Sequence, residues 1–77
     1  MDYAFVSARH IRAARGWLGW RLVDLEAKSG VTIGAVNKFE NETKNLSLKT
    51  RKRLAEVFAA AGVELRPDGL RAGEVTR

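Results

Sequence analysis

The run Ser29-Gly30-Val31-Thr32 is a very short break between two stretches whose apolar residues recur at helical spacing. Leu22 and Leu25 lie before it, Val36 and Phe39 after it, and Val31 sits inside it. Gly30 suits a left-handed turn residue, because it has no Cβ to clash with the following carbonyl. Thr32 is a good N-cap, since its hydroxyl can accept from an amide of the first turn. The spacing predicts one helix from Arg21 to Lys28, with a poorly capped start, and a second from Ile33 to about Glu40. A break this short forces the two helices to pack at a steep angle through those apolar positions.

The rest of the chain supplies the floor on which such a pair could stand. Ser7 can cap a first helix, with Val6 packing on Ile11 as a hydrophobic staple. Ala8, Ile11, Ala14 and Leu18 follow at helical spacing, and Gly16 and Gly19 weaken the end, so the helix is expected to stop near Gly16. Ser47 can cap the longest helix, Leu48 to Ala61, in which Leu54, Val57, Phe58 and Ala61 share one face and Lys49, Lys52, Arg53 and Glu56 lie opposite. Arg51 falls inside that apolar arc, so it must snorkel, pair or sit at an interface. After Gly62, Val63-Glu64-Leu65-Arg66 alternates like a strand. Pro67-Asp68-Gly69 is a turn, and Leu70 to Thr76 can return as a second strand, with Gly73 as a weak point or bulge.

Charge and missing residue types narrow the function classes. Fourteen Lys and Arg stand against nine Asp and Glu in 77 residues, a formal charge of +5. That excess favours a polyanion, namely DNA, RNA or an anionic membrane surface. Cysteine is absent and His10 is the only histidine. Disulfides, thiolate metal sites and His-pair zinc sites are therefore excluded, and no cofactor or metal is expected. No paired-carboxylate motif or Gly-rich phosphate loop suggests an enzyme. No apolar run approaches the roughly 20 residues that span a bilayer. The first residues do not read as a signal peptide, so no membrane partner and a cytoplasmic, nucleoid-associated location are expected.

The steeply packed helix pair is the arrangement of a helix-turn-helix, which lets the second helix enter a major groove while the first crosses the backbone. At this level the chain resembles the phage repressor and Cro-like regulators of the xenobiotic-response-element type. The matching text is Ile11-Arg12-Ala13-Ala14-Arg15, Leu18-Gly19-Trp20, Asp24-Leu25, Lys28-Ser29-Gly30-Val31-Thr32 and Val36-Asn37-Lys38-Phe39-Glu40-Asn41, and the likeness covers roughly residues 7–61. It also resembles a subgroup whose last helix runs through Ala60-Ala61-Gly62-Val63-Glu64 into a strand. The resemblance implies a mainly α, compact four- to five-helix lambda-repressor-like domain with a short C-terminal strand or hairpin. It implies a DNA-binding domain over 1–62, with the motif at about 22–41, and an extension over 63–77.

It also implies site residues. Arg15 and Glu40 fall on a structural ion pair; read alone, each is an ordinary solvated charge. Base-contacting positions map to Thr32, Ile33, Gly34, Asn37, Lys38 and Asn41. Asn37 has the amide for a bidentate bond to adenine, and Lys38 the reach for a guanine or a phosphate. Ile33 either meets a thymine methyl or packs on the second helix. Arg21, Lys44, Lys49, Lys52 and Arg53 are candidates for the DNA backbone, each with a solvated face as the plainer alternative. Three positions depart from the family pattern. Leu22 stands for a glutamine that helps to hold a phosphate. Glu26 stands for a small alanine and needs room or a cation, such as Lys38 or an arginine. Glu42 stands for a glycine after the reading helix. Trp20 matches a core position. Trp17 is extra, and packing is favoured over a partner surface. His10 reads as a surface or capping residue.

The implied partner is double-stranded DNA, bound as a homodimer on an inverted repeat with reading helices about 34 Å apart. Val63, Leu65, Leu70 and Val75 are expected in the dimer or in the sheet beside it, where the hairpin gains a strand from Tyr3 to Val6 or extends across a two-fold axis. The function implied is a small transcriptional regulator, a repressor of a phage or mobile element. With no room for a sensor domain, a regulatory partner protein is a further candidate. The alternative is an antitoxin or antirepressor whose ligand is another protein.

Overall fold

In the computed structural model, which describes residues 3–72, four helices carry a two-stranded hairpin. The elements are α1 (Ala8–Leu18), α2 (Leu22–Ser29), α3 (Ile33–Glu40), α4 (Leu48–Ala60), β1 (Val63–Arg66) and β2 (Gly69–Ala72).

α1 begins at a reciprocal cap. Ser7 Oγ accepts from His10 N–H, and the His10 ring accepts from Ser7 N–H at 3.2 Å. Imidazole thus takes the part that Glu or Gln plays in the usual capping box. Val6 and Ile11 are both buried, in the positions of a staple. The helix does not stop near Gly16 but continues to Leu18. A glycine inside a helix costs about 1 kcal/mol yet still makes its backbone bonds. The break comes where the backbone turns left-handed, at Gly19 with φ +68°, and Trp20 N–H closes on Arg15 O at 2.9 Å.

α2 starts one residue later than its pattern suggests and ends one residue later, at Ser29. Its start is capped after all, because the Asp24 carboxylate accepts from Arg21 N–H at 2.8 Å. Ser29 Oγ donates to Leu25 O at 2.7 Å and accepts from Val31 N–H at 3.1 Å. The turn is thereby tied from inside, and Gly30 takes φ +77°. Thr32 accepts from Ala35 N–H and Ser47 from Thr50 N–H, each at 3.2 Å, to start α3 and α4. α4 ends at Ala60, one residue short of the expected Ala61, which is its cap.

The helices converge on Ile11, Leu25, Val36, Leu54 and Phe58, all buried, with Val6 and Val63 at the edges. Burying a side chain of this kind contributes about 1.5–3 kcal/mol. Trp20 stacks on Phe58, ring centroids 5.6 Å apart, and Lys28 Nζ lies 5.1 Å over the outer face of that indole.

The hairpin is antiparallel, with Val63 opposite Ala72 and Leu65 opposite Leu70. Val63 and Leu65 turn into the helical core, whereas Glu64 and Arg66 face out. Val63 and Leu65 thus stand in the sheet, one of the two places expected for them, and are buried in the core of their own chain. Leu70 is half-buried against the same core. β2 begins at Gly69 and not at Leu70, and Gly73 and Val75 lie outside the described residues. Tyr3 to Val6 does not add a strand. It forms a turn closed by Val6 N–H on Tyr3 O at 3.1 Å, with the Phe5 ring edge-on to His10. β1 packs on α4 and both strands pack on α1. That cover replaces the third strand, since a hairpin is stabilised by a helix as well as by a further strand. His10 Nε2 donates to Arg66 O at 2.6 Å and so pins the hairpin to α1.

Candidate nucleic-acid interface

α3 buries Val36, Phe39 and Glu40 and exposes Gly34, Asn37, Lys38 and Asn41. Those four stand at i, i+3, i+4 and i+7, so they form one stripe along the outer face. Thr32 is exposed at the cap, and Ile33 is half-buried between its two expected roles. Asn41 Nδ2 lies 3.4 Å from Asn37 Oδ1. This bond holds the two amides side by side and leaves the Asn37 NH₂ and the Asn41 carbonyl oxygen facing out.

The stripe is rigidly mounted. Glu40 is 7% exposed at its side chain and Arg15 21%. Arg15 meets both carboxylate oxygens of Glu40, Nε to Oε2 at 2.7 Å and Nη2 to Oε1 at 2.8 Å, and donates its remaining nitrogen to Trp20 O at 2.9 Å. The fork-to-fork geometry fixes orientation as well as distance. The hydrogen bond to Glu40 raises the guanidinium further above its ordinary value. Arg12, to which the sequence alone assigns no role, donates to the Glu40 carbonyl. That contact caps the negative end of α3, where a cation is favoured. Its only sequence signal is the spacing of Arg12 and Arg15, one turn apart on α1.

The opposite end of α3 is held from α2. Glu26 Oε2 accepts from Ile33 N–H at 3.1 Å. The expected cation, Lys38 or an arginine, is not its partner. The first amide of the helix carries partial positive charge of its own and lies directly across the turn. From α4, Arg53 Nε donates to Ser29 O at 3.0 Å, fastening the turn to the last helix. After α3, Glu42 adopts φ +60°. Glu42 N–H goes to Phe39 O at 3.0 Å and Thr43 N–H to Lys38 O at 2.9 Å. That double closure is the Schellman pattern, and here it is made without glycine.

The cations proposed for the backbone do not form one cluster. Arg21 stands at the entry to α2, 79% exposed and loosely paired with Asp24 at 3.3 Å. Two hydrogen bonds from Arg21, the backbone one first, hold the Asp24 carboxyl below its ordinary value. Lys44 follows α3, and Lys49 and Lys52 lie on α4; all three are exposed. Arg53 keeps its charge at the surface but has one nitrogen committed to Ser29. Arg51 resolves its place in the apolar arc by donating to Leu46 O at 2.9 Å and Ala4 O at 3.0 Å, over the ring of Phe39. Leu22 is half-buried against the core and offers no donor beyond its backbone. Trp17 is not packed: it is 59% exposed, because it lies off the Ile11–Ala14–Leu18 stripe of α1.

Among the described residues no group of three or more His, Cys, Asp or Glu could hold a metal ion, and no helix is long and apolar enough to cross a membrane. A family model described as helix-turn-helix matches residues 11–64, from the middle of α1 into β1. Comparison with curated proteins and with solved structures finds no match.

Proposed function

The chain belongs to the helix-turn-helix family of the Cro and phage-repressor type, a family that binds DNA and regulates transcription, and from that premise we propose that it is a dimeric repressor acting on an inverted-repeat operator. The observation that carries this reading is the outward stripe of α3, clamped at one end by Arg15 and Arg12 and at the other by Glu26. A rigid helix presenting amides and one ammonium suits base edges, where a good bidentate contact contributes about 1–3 kcal/mol of discrimination.

In this reading Thr32, Ile33, Gly34, Asn37, Lys38 and Asn41 face the bases. Arg21, Lys44, Lys49, Lys52 and Arg53 hold the phosphates. Residues 1–62 form the DNA-binding domain, and the 63–77 extension carries the contact between copies, with Leu70 the apolar residue left on its described part. The regulator acts in the cytoplasm on the nucleoid of a phage- or mobile-element-bearing cell, and concentration or a partner protein sets its occupancy.

Site selection from random duplex DNA, followed by titration of the double variant Asn37→Ala, Lys38→Ala, tests the assignment. The variant is expected to lose preference for the selected site and keep weak non-specific binding; retained preference would place the reading surface elsewhere. The exposed indole of Trp17 supports a second reading, in which the main ligand is another protein. A chain of that kind would select no sequence at low salt.

A further inference from the structure

Two side chains of the molecule itself occupy the leading end of α3. Of its first three amides, Ile33 N–H is taken by the Glu26 carboxylate and Ala35 N–H by the Thr32 hydroxyl. Gly34 N–H is left without a protein acceptor among the described residues. Gly34 is an exposed residue, and a Cβ built on it would meet nothing within 4 Å, so the surface beside this amide is open. A helix start with free amides attracts phosphate. Here a full negative charge already sits on it, and the second Glu26 oxygen has no partner among the described residues.

We propose that Glu26 is a specificity-determining residue: its carboxylate repels DNA phosphates from the leading end of α3, so that this end meets the duplex only through base edges. The proposal rests on α3 being the reading helix. The physical logic is discrimination by penalty. Phosphate contacts are the same on every sequence and raise all affinities together. An acid placed where a phosphate would otherwise settle weakens both complexes, but the non-specific one more than the specific one, whose groove contacts keep the backbone farther from it.

Glu26→Gln separates charge from position, because the amide oxygen still accepts from Ile33 N–H. The variant is expected to stay folded, melting slightly below the wild type because the charge no longer faces the helix start, and to bind a scrambled duplex about two- to fivefold more tightly, the scale of one anion at a helix start. The ratio of operator to scrambled affinity falls, and the gain shrinks as added salt screens the charge. Unchanged affinity of the folded variant for scrambled DNA overturns the proposal and leaves Glu26 a positioning residue only.

A second measurement needs no variant. Wild-type protein is titrated against operator duplexes in which single phosphates are replaced by neutral methylphosphonates. Neutralising the phosphate nearest Gly34 is expected to tighten binding, whereas neutralising those gripped by Lys or Arg weakens it. If every replacement weakens binding or leaves it unchanged, the repulsion does not exist. The reading of α3 fails separately, and takes the proposal with it, if the Asn37→Ala, Lys38→Ala chain keeps its preference for the operator.

Discussion

Glu40 is a buried charged side chain of α3, apart from the outward stripe. Its carboxylate is buried and its whole demand for partners is met by Arg15. Truncation to alanine strands the guanidinium, a change that costs about 3–5 kcal/mol for buried pairs. Arg15 keeps some solvent contact, so Glu40→Ala is expected near about 3 kcal/mol, read from the urea midpoint at unchanged m-value. A loss below 1 kcal/mol would show that the pair is dispensable. Glu42 makes the opposite case. It holds a left-handed conformation that costs a non-glycine residue roughly 1–2 kcal/mol. Glu42→Gly is therefore expected to raise stability by about 1 kcal/mol in the same measurement, and any destabilisation would argue that the Glu42 side chain has a role its position does not reveal.

At the level of elements, a Ser or Thr hydroxyl closes the starts of α1, α3 and α4, whereas α2 is closed by a carboxylate and so depends on pH. The Asp24 carboxyl of α2 is held below its ordinary value by the Arg21 amide and guanidinium. A depressed carboxyl contributes stability that is fully present above its unfolded value of about 3.9 and is lost as pH falls through the lower folded value. The chain is thus expected to lose stability on acidification below about pH 4, and Asp24→Asn to flatten that limb. Equal acid slopes for the two chains in thermal melts would remove the role of Asp24. α2, α3 and the turn between them are cross-tied through Ser29, Glu26 and Arg53, and α3 is tied to α1 through Arg12 and Arg15. α3 is therefore held as a fixed surface, which is what discrimination between bases would require of it in the proposed reading.

For the whole molecule, charge and size set the behaviour. If Arg21, Lys44, Lys49, Lys52 and Arg53 each neutralise one phosphate, log affinity falls with log salt at a slope of about −4.5 per copy of the chain. A slope near −1 would leave the phosphate grip unsupported. Light scattering is expected to find a dimer at micromolar concentration; a monomer there would move dimerisation onto the DNA.

The division between chain and fold follows from the range of the forces involved. Helix starts, the sharp turn at Gly30 and the apolar faces are local matters, settled within one turn by hydrogen bonds and side-chain spacing, so α2, α3 and the hairpin could be read off the order of residues. The likeness to a known family extended that reading to the pairing of Arg15 with Glu40. Partnerships between distant side chains have no such local signature. Glu26 was expected to need room or a cation and instead caps α3 across the turn; Arg53, read as a phosphate contact or a solvated charge, fastens a backbone carbonyl, as does Arg12, which had no assigned role. Val63 and Leu65 alternate as strand residues do in either a core or an interface, and only the packing of β1 on α4 places them inside. Trp17 went the other way, onto the surface, because the stripe that α1 buries depends on where the other helices lie. Burial is a property of the assembled chain, and a charge takes whichever partner the assembly brings within reach.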